Sequence, residues 1–77
     1  MSKALLRQLG TRIRKRRKEL GWTQEELALK AGIDRSYVGG VERGERNITF
    51  LTLCRLAEVM KCDVGTLAAG IPSMISH

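Results

Sequence analysis

The stretch at residues 23–43, TQEELALKAGIDRSYVGGVER, constrains the fold more than any other part of the chain. It contains two short helical patterns separated by Gly32, Ile33 and Asp34. In the first, Leu27, Ala28 and Ala31 fall on one face; in the second, Val38 and Val41 do. Thr23-Gln24-Glu25-Glu26 has the form of a capping box, in which the Thr23 hydroxyl and the Glu26 carboxylate each satisfy the other's backbone N–H. Gly32 supplies the positive φ of a sharp helix exit, and Asp34 is a good N-cap whose charge answers the positive end of the next helix. Ile33 is expected to plug the core between the two helices. The unit is a helix, a tight turn and a helix, with a basic polar surface on the second.

The flanks read as helices that brace this unit. Residues 3–20 place Leu5, Leu6, Leu9, Ile13 and Leu20 on roughly one face, and Gly21 ends the pattern. Gly10 weakens a helix by about 1 kcal/mol against Ala, so it is expected to separate a loose N-terminal turn from a firmer helix capped by Thr11. Trp22 is expected to pack between the first and second helices. Thr49 caps a fourth pattern with Phe50, Leu53, Leu56, Ala57 and Met60 at helical spacing, all expected in the core. A break at residues 61–63 leads to a short last helix through Val64, Leu67 and Ala68, ended by Gly70 and Pro72, with a frayed tail at residues 73–77. The expectation is an all-α, five-helix bundle forming one domain over residues 1–77, with no linker and no internal repeat.

Charge narrows the function. The 77 residues carry 14 Lys and Arg against 8 Asp and Glu, a net +6, which favours a nucleic acid or an anionic surface as partner. The densest basic run is Arg12, Arg14, Lys15, Arg16, Arg17 and Lys18, much of which is expected to be a solvated helix face. No stretch approaches the roughly 18 apolar residues that span a bilayer. Cys54, Cys62 and the distal His77 lack zinc-site spacing, and free thiols fit a reducing, cytoplasmic compartment. With one His, no Gly-rich phosphate loop and no convergent acid–base pair, an enzyme is not expected, and neither a cofactor, a metal nor a small-molecule substrate is implied.

A DNA duplex fits the outward residues of the second helix of the unit. Arg35 carries the donor fork that matches guanine O6 and N7 in the major groove, and Ser36 can bond a base edge or a phosphate. Gln24, beside the capped Thr23, sits where a first-turn amide and exposed backbone N–H groups meet a phosphate. Tyr37 stays open between phosphate contact and packing. Gly39 and Gly40 are costly inside a helix, and either close approach of the backbone to DNA or close helix packing would account for them. Arg43, Arg46 and Asn47 extend the candidate backbone contacts past the helix, which Gly44 stops.

The run from Arg12 to Thr49, with TQEELA, AG, DRSY and VERGERN, resembles the Xre/Cro-type helix-turn-helix family, whose fold is that of the lambda-repressor DNA-binding domain. Within it, DRSYVGGVERGERNIT is most similar to the controller proteins of restriction–modification systems, small dimers that regulate their own operon. The resemblance implies that Gln24 and the start of the helix after Asp34 lie at DNA, that Glu42 pairs with Arg17, and that Arg46 meets the phosphate backbone. Arg17 itself is a further candidate phosphate contact. A homodimer on a near-palindromic operator is implied, with helices in residues 49–70 as the interface and Leu51, Cys54, Arg55, Val64 and Leu67 as its candidate residues, because the core cannot use every apolar side chain there. RNA polymerase is a further candidate partner through Glu25 or Glu26. The competing readings are a phage-type repressor and an antitoxin-like interaction module that no longer reads DNA.

Overall fold

A computed structural model describes residues 3–68. Over these the chain is all-helical, in the order α1 (Lys3–Glu19), α2 (Gln24–Ala31), α3 (Arg35–Glu42), α4 (Phe50–Val59) and α5 (Val64–Ala68). Gly70, Pro72 and the tail at residues 73–77 lie outside the described residues.

Local chemistry sets the helix starts. Thr23 Oγ1 accepts from Glu26 N–H at 3.1 Å, and the Glu26 carboxylate accepts from Thr23 N–H at 2.8 Å, completing the capping box. Asp34 accepts from Ser36 N–H at 3.1 Å at the head of α3, and Thr49 accepts from Thr52 N–H at 3.1 Å at the head of α4. The first four helices end alike. The N–H groups of Trp22, Ile33, Glu45 and Cys62 reach back five residues to the carbonyls of Arg17, Ala28, Gly40 and Ala57 at 2.8–3.1 Å. This closure needs a left-handed residue just before each of those donors. Glycine serves at positions 21, 32 and 44, whereas α4 uses Lys61 at φ 54°. Arg16 braces this helix end, donating to Met60 O from Nη2 at 2.8 Å and from Nε at 3.0 Å.

The core gathers one face from each helix. Leu9 and Ile13 of α1, Leu27, Ala28 and Ala31 of α2, Val38 and Val41 of α3, Leu53, Leu56 and Ala57 of α4, and Leu67 of α5 are all buried in a single cluster, with Met60 beside them. Trp22 and Ile33 pack partly buried against it, as their positions between helices imply.

Two expectations fail here. Helix α1 runs unbroken through Gly10, so Thr11 caps nothing. Gly10 is buried because α1 crosses the end of α3 at that point. A β-carbon on it would overlap the carbonyl oxygen of Val41 and stand 2.6 Å from that of Glu42. The glycine therefore sets the approach of α1 to α3, and this packing outweighs its weak helix propensity. Phe50 is not in the core. It is 69% exposed and Leu51 79%, so the first turn of α4 stands outside the packed cluster.

Candidate nucleic-acid interface

The head of α3 offers a free donor beside a locked hydroxyl. Arg35 is exposed and makes no hydrogen bond or ion pair among the described residues. Next to it, the Ser36 hydroxyl is hydrogen-bonded to the Asp34 carboxylate that caps the helix. That bond holds the Asp34 carboxyl below its ordinary value against an opposing effect of desolvation, with smaller lowering contributions from the backbone N–H groups of Ser36 and Tyr37 and the charge of Arg35. An ionised carboxylate only accepts, so the proton in this bond is Ser36's. The hydroxyl is left with acceptor capacity toward anything outside the protein.

Behind this surface lies a buried ion pair. Arg17 of α1 grips Glu42 of α3 with Nε at 2.7 Å and Nη2 at 3.0 Å, and its Nη1 donates to the Trp22 carbonyl at 2.7 Å. Both side chains are nearly inaccessible, at 8% and 2% exposure. The bond to Glu42 raises the Arg17 pKa above its ordinary value and outweighs the lowering by burial. The pairing implied by the resemblance is therefore present. Arg17 does not stand at the surface as a phosphate contact would: three of its five guanidinium N–H donors are used inside the protein, and its side chain is 8% exposed. Gln24 joins the same network, its Nε2 donating to Glu42 Oε1 at 3.0 Å. This link joins the head of α2 to the last turn of α3, and nothing in the local sequence of either helix signals it.

In the far half of α3, Gly39 and Gly40 are buried. What covers them is arginine. A β-carbon on Gly39 would meet Arg43 Nη1 at 3.1 Å and Gln24 Oε1 at 3.4 Å, and one on Gly40 would stand 2.6 Å from Arg46 Cγ. The Arg46 guanidinium continues over the Tyr37 ring, 5.7 Å from its centroid, while the Tyr37 hydroxyl donates to the Asn47 carbonyl at 3.1 Å. Tyr37 thus packs and organises the loop after α3. Arg43 also pairs with Glu45 at 3.0 Å on the exposed surface. Thr23, Arg35, Ser36, Arg43, Arg46 and Asn47 are exposed, and Gln24 and Tyr37 are half-buried.

Residues 13–67 match the family described as Helix-turn-helix. The chain belongs to this family. Its helix-turn-helix unit is α2, the turn at Gly32 and α3. Among relatives, the control protein C.SmaI of Serratia marcescens is 47% identical over 45 residues, which cover 58% of this chain and about half (54%) of that protein. The crystal structure of the restriction–modification controller protein C.AhdI from Aeromonas hydrophila superposes with a TM-score of 0.81 at 44% identity, covering 83% of this chain and 97% of that one. The structure of the biofilm master regulator SinR in complex with DNA gives a TM-score of 0.74 at 38% identity, covering 77% of this chain and 95% of that one.

The candidate interface residues outside the helix-turn-helix divide sharply. Leu51 and Arg55 are exposed, and they border a shallow cleft with Ile33 and Thr52. Cys54 and Val64 are half-buried. Leu67 is fully buried, at 0% exposure, so it cannot offer surface to a second copy. The short α5 spends this leucine closing the core, which leaves Val64 as its half-buried apolar residue from the expected set. No helix among the described residues is long and apolar enough to cross a membrane, and no cluster of metal-ligating side chains occurs among them.

Proposed function

We propose that the protein is a sequence-specific regulator of transcription that binds double-stranded DNA as a homodimer, in the manner of restriction–modification controller proteins, on a near-palindromic operator. The observation that carries this reading is the head of α3, where the exposed and uncommitted Arg35 stands beside Ser36 on a capped helix braced by the Arg17–Glu42 pair. The net charge of +6 and the similarity to a regulator crystallised with DNA support it. Arg35 reads a guanine, Ser36 an adjoining base, and Gln24, Arg43, Arg46 and the backbone around Thr23 meet phosphates.

A single recognition helix reads too few base pairs for an operator. Two copies joined through the first two turns of α4, at Leu51 with Cys54 and Arg55, would set two α3 helices roughly 34 Å apart along one face of the duplex. Occlusion of a promoter then represses. Activation would need a polymerase contact. Glu25 suits that role better than Glu26, because the Glu26 carboxylate is held in the capping box.

The test is binding to candidate operators and to random duplex over a salt series. Log affinity should fall steeply with log salt if several phosphates are neutralised. Arg35→Ala should cost about 1–3 kcal/mol and relax preference at one base pair per half-site. Absence of binding at low salt would favour the antitoxin-like interaction module instead.

A further inference from the structure

We infer that Gly40 is a positioning residue: its missing side chain leaves a slot on α3 that seats the stem of Arg46, and so aims the Arg46 guanidinium at the DNA phosphates. This rests on the reading of Arg46 as a phosphate contact.

Two adjacent glycines in the middle of an eight-residue helix need an explanation. The nearest neighbour at Gly40 is not another helix. The three atoms closest to a β-carbon there are Cγ, Nε and Cδ of Arg46, at 2.6, 3.5 and 3.6 Å. The nearest of these is Cγ, close to the Arg46 backbone. It can clear a methyl group only by rotating about the first side-chain bond, which swings the whole side chain away. Moving it would also lift the guanidinium from the Tyr37 ring, 5.7 Å below it. Tyr37 in turn is fixed by its hydroxyl bond to the Asn47 carbonyl, one residue beyond Arg46. Arg46 is thus held at its stem by the slot and at its head by the ring. A long cation restrained in this way loses less rotamer freedom when it meets a phosphate than one waving in solvent.

Gly39 provides the internal contrast. A β-carbon there meets the far ends of two flexible side chains, Arg43 Nη1 at 3.1 Å and Gln24 Oε1 at 3.4 Å, which can give way by a few tenths of an ångström. Gly40 is the position where the arginine itself must leave.

The inference separates stability from binding, which a purely structural role would not do. Alanine is the better helix former, so Gly40→Ala should hold or raise the melting temperature. The same variant should weaken binding about three- to tenfold on operator and random duplex alike. The slope of log affinity against log salt should become shallower by about one unit per subunit. Arg46→Ala should do the same, and the Gly40→Ala/Arg46→Ala double variant should lose no more than Arg46→Ala alone, because both act through one side chain.

Equal affinity and an unchanged salt slope for Gly40→Ala, with Arg46→Ala weakened, would overturn the slot. So would losses that multiply in the double variant. If Arg46→Ala itself leaves affinity and slope unchanged, it is the phosphate reading of Arg46 that fails. If Gly40→Ala does not fold, the double variant decides: recovery of the fold on removing Arg46 shows that the stem fills the slot, and continued failure overturns it.

Discussion

The Ser36 hydroxyl donates its proton to the Asp34 carboxylate two residues earlier, inside the cap of α3. Toward anything outside the protein it therefore presents lone pairs. Arg35, its neighbour, presents only donors. The two side chains ask for opposite partners: acceptors on guanine for Arg35, an amino group on adenine or cytosine for Ser36. Measured against operators carrying each base pair at the Ser36 position, the wild type should prefer adenine or cytosine there, and Ser36→Ala should lose that preference. A preference for thymine would mean that the hydroxyl turns away from Asp34 on binding.

That arrangement persists only while Asp34 is ionised. Its folded-state pKa lies below the ordinary value, chiefly through the bond from the Ser36 hydroxyl. A depressed carboxylate stabilises the fold above its unfolded pKa, about 3.9, and this contribution is lost as pH falls through the lower folded value. Asp34 should thus contribute no pH dependence to stability or base preference between about pH 8 and 5, and its contribution should vanish only below about pH 4. Denaturation midpoints of wild type and Asp34→Asn across that range check this. Convergence of the two already near neutral pH would contradict the assignment.

The Arg17–Glu42 pair should be costly to break from one side. Removing a single partner of a buried pair leaves an uncompensated charge, so Glu42→Ala should lose about 3–5 kcal/mol in denaturant unfolding. It also strips Gln24 of its anchor at the head of α2. A loss under about 1 kcal/mol would mean that Arg17 finds solvent, as surface pairs do.

What the sequence discloses here follows from range. The capping box at Thr23, the turn at Gly32 and the stop at Gly44 are written in neighbouring residues, and each stands where its local chemistry places it. The apolar faces of α2 and α3 follow from helical period alone. The misreadings at Gly10, Phe50 and Leu67 share a cause. In each, the deciding contact or vacancy lies on another element: the carbonyls of α3 over Gly10, the end of the core short of Phe50, the closing of the core by Leu67. The choice that stays open at Gly40 is hidden in the same way, by the Arg46 stem that lies over it. Helix propensity and periodicity describe a segment, and neither says what crosses it. Arg17 shows a related limit, since a basic run does not reveal which of its members is turned inward by an acid 25 residues away.

The turn after α4 offers a stability gain with no bearing on the interface. Lys61 holds φ 54°, where the three other helix ends use glycine. A non-glycine residue in this region is strained, and glycine removes the clash at some cost in unfolded-state entropy. Lys61→Gly should therefore stabilise the fold by about 0.5–1 kcal/mol, read as a higher midpoint with an unchanged denaturant slope. A destabilised variant would show that the lysine side chain contributes more than its backbone strain costs.

Helices α4 and α5 adjoin, and one carries a surface leucine where the other carries a core one. Leu51 is 79% exposed and Leu67 is 0% exposed. If two copies meet through the first turn of α4, Leu51→Glu places a charge at the centre of the contact without entering the monomer core. Helical circular dichroism should then remain while sedimentation shifts to monomer and operator affinity falls. Leu67→Glu puts the same charge into the core, and burying it unpaired costs far more than such a small domain can spare. That variant should unfold, losing dimer, DNA binding and helicity together. A Leu51→Glu protein that sediments as a dimer would move the interface off this turn, and the search for it would pass to the half-buried Val64 on α5.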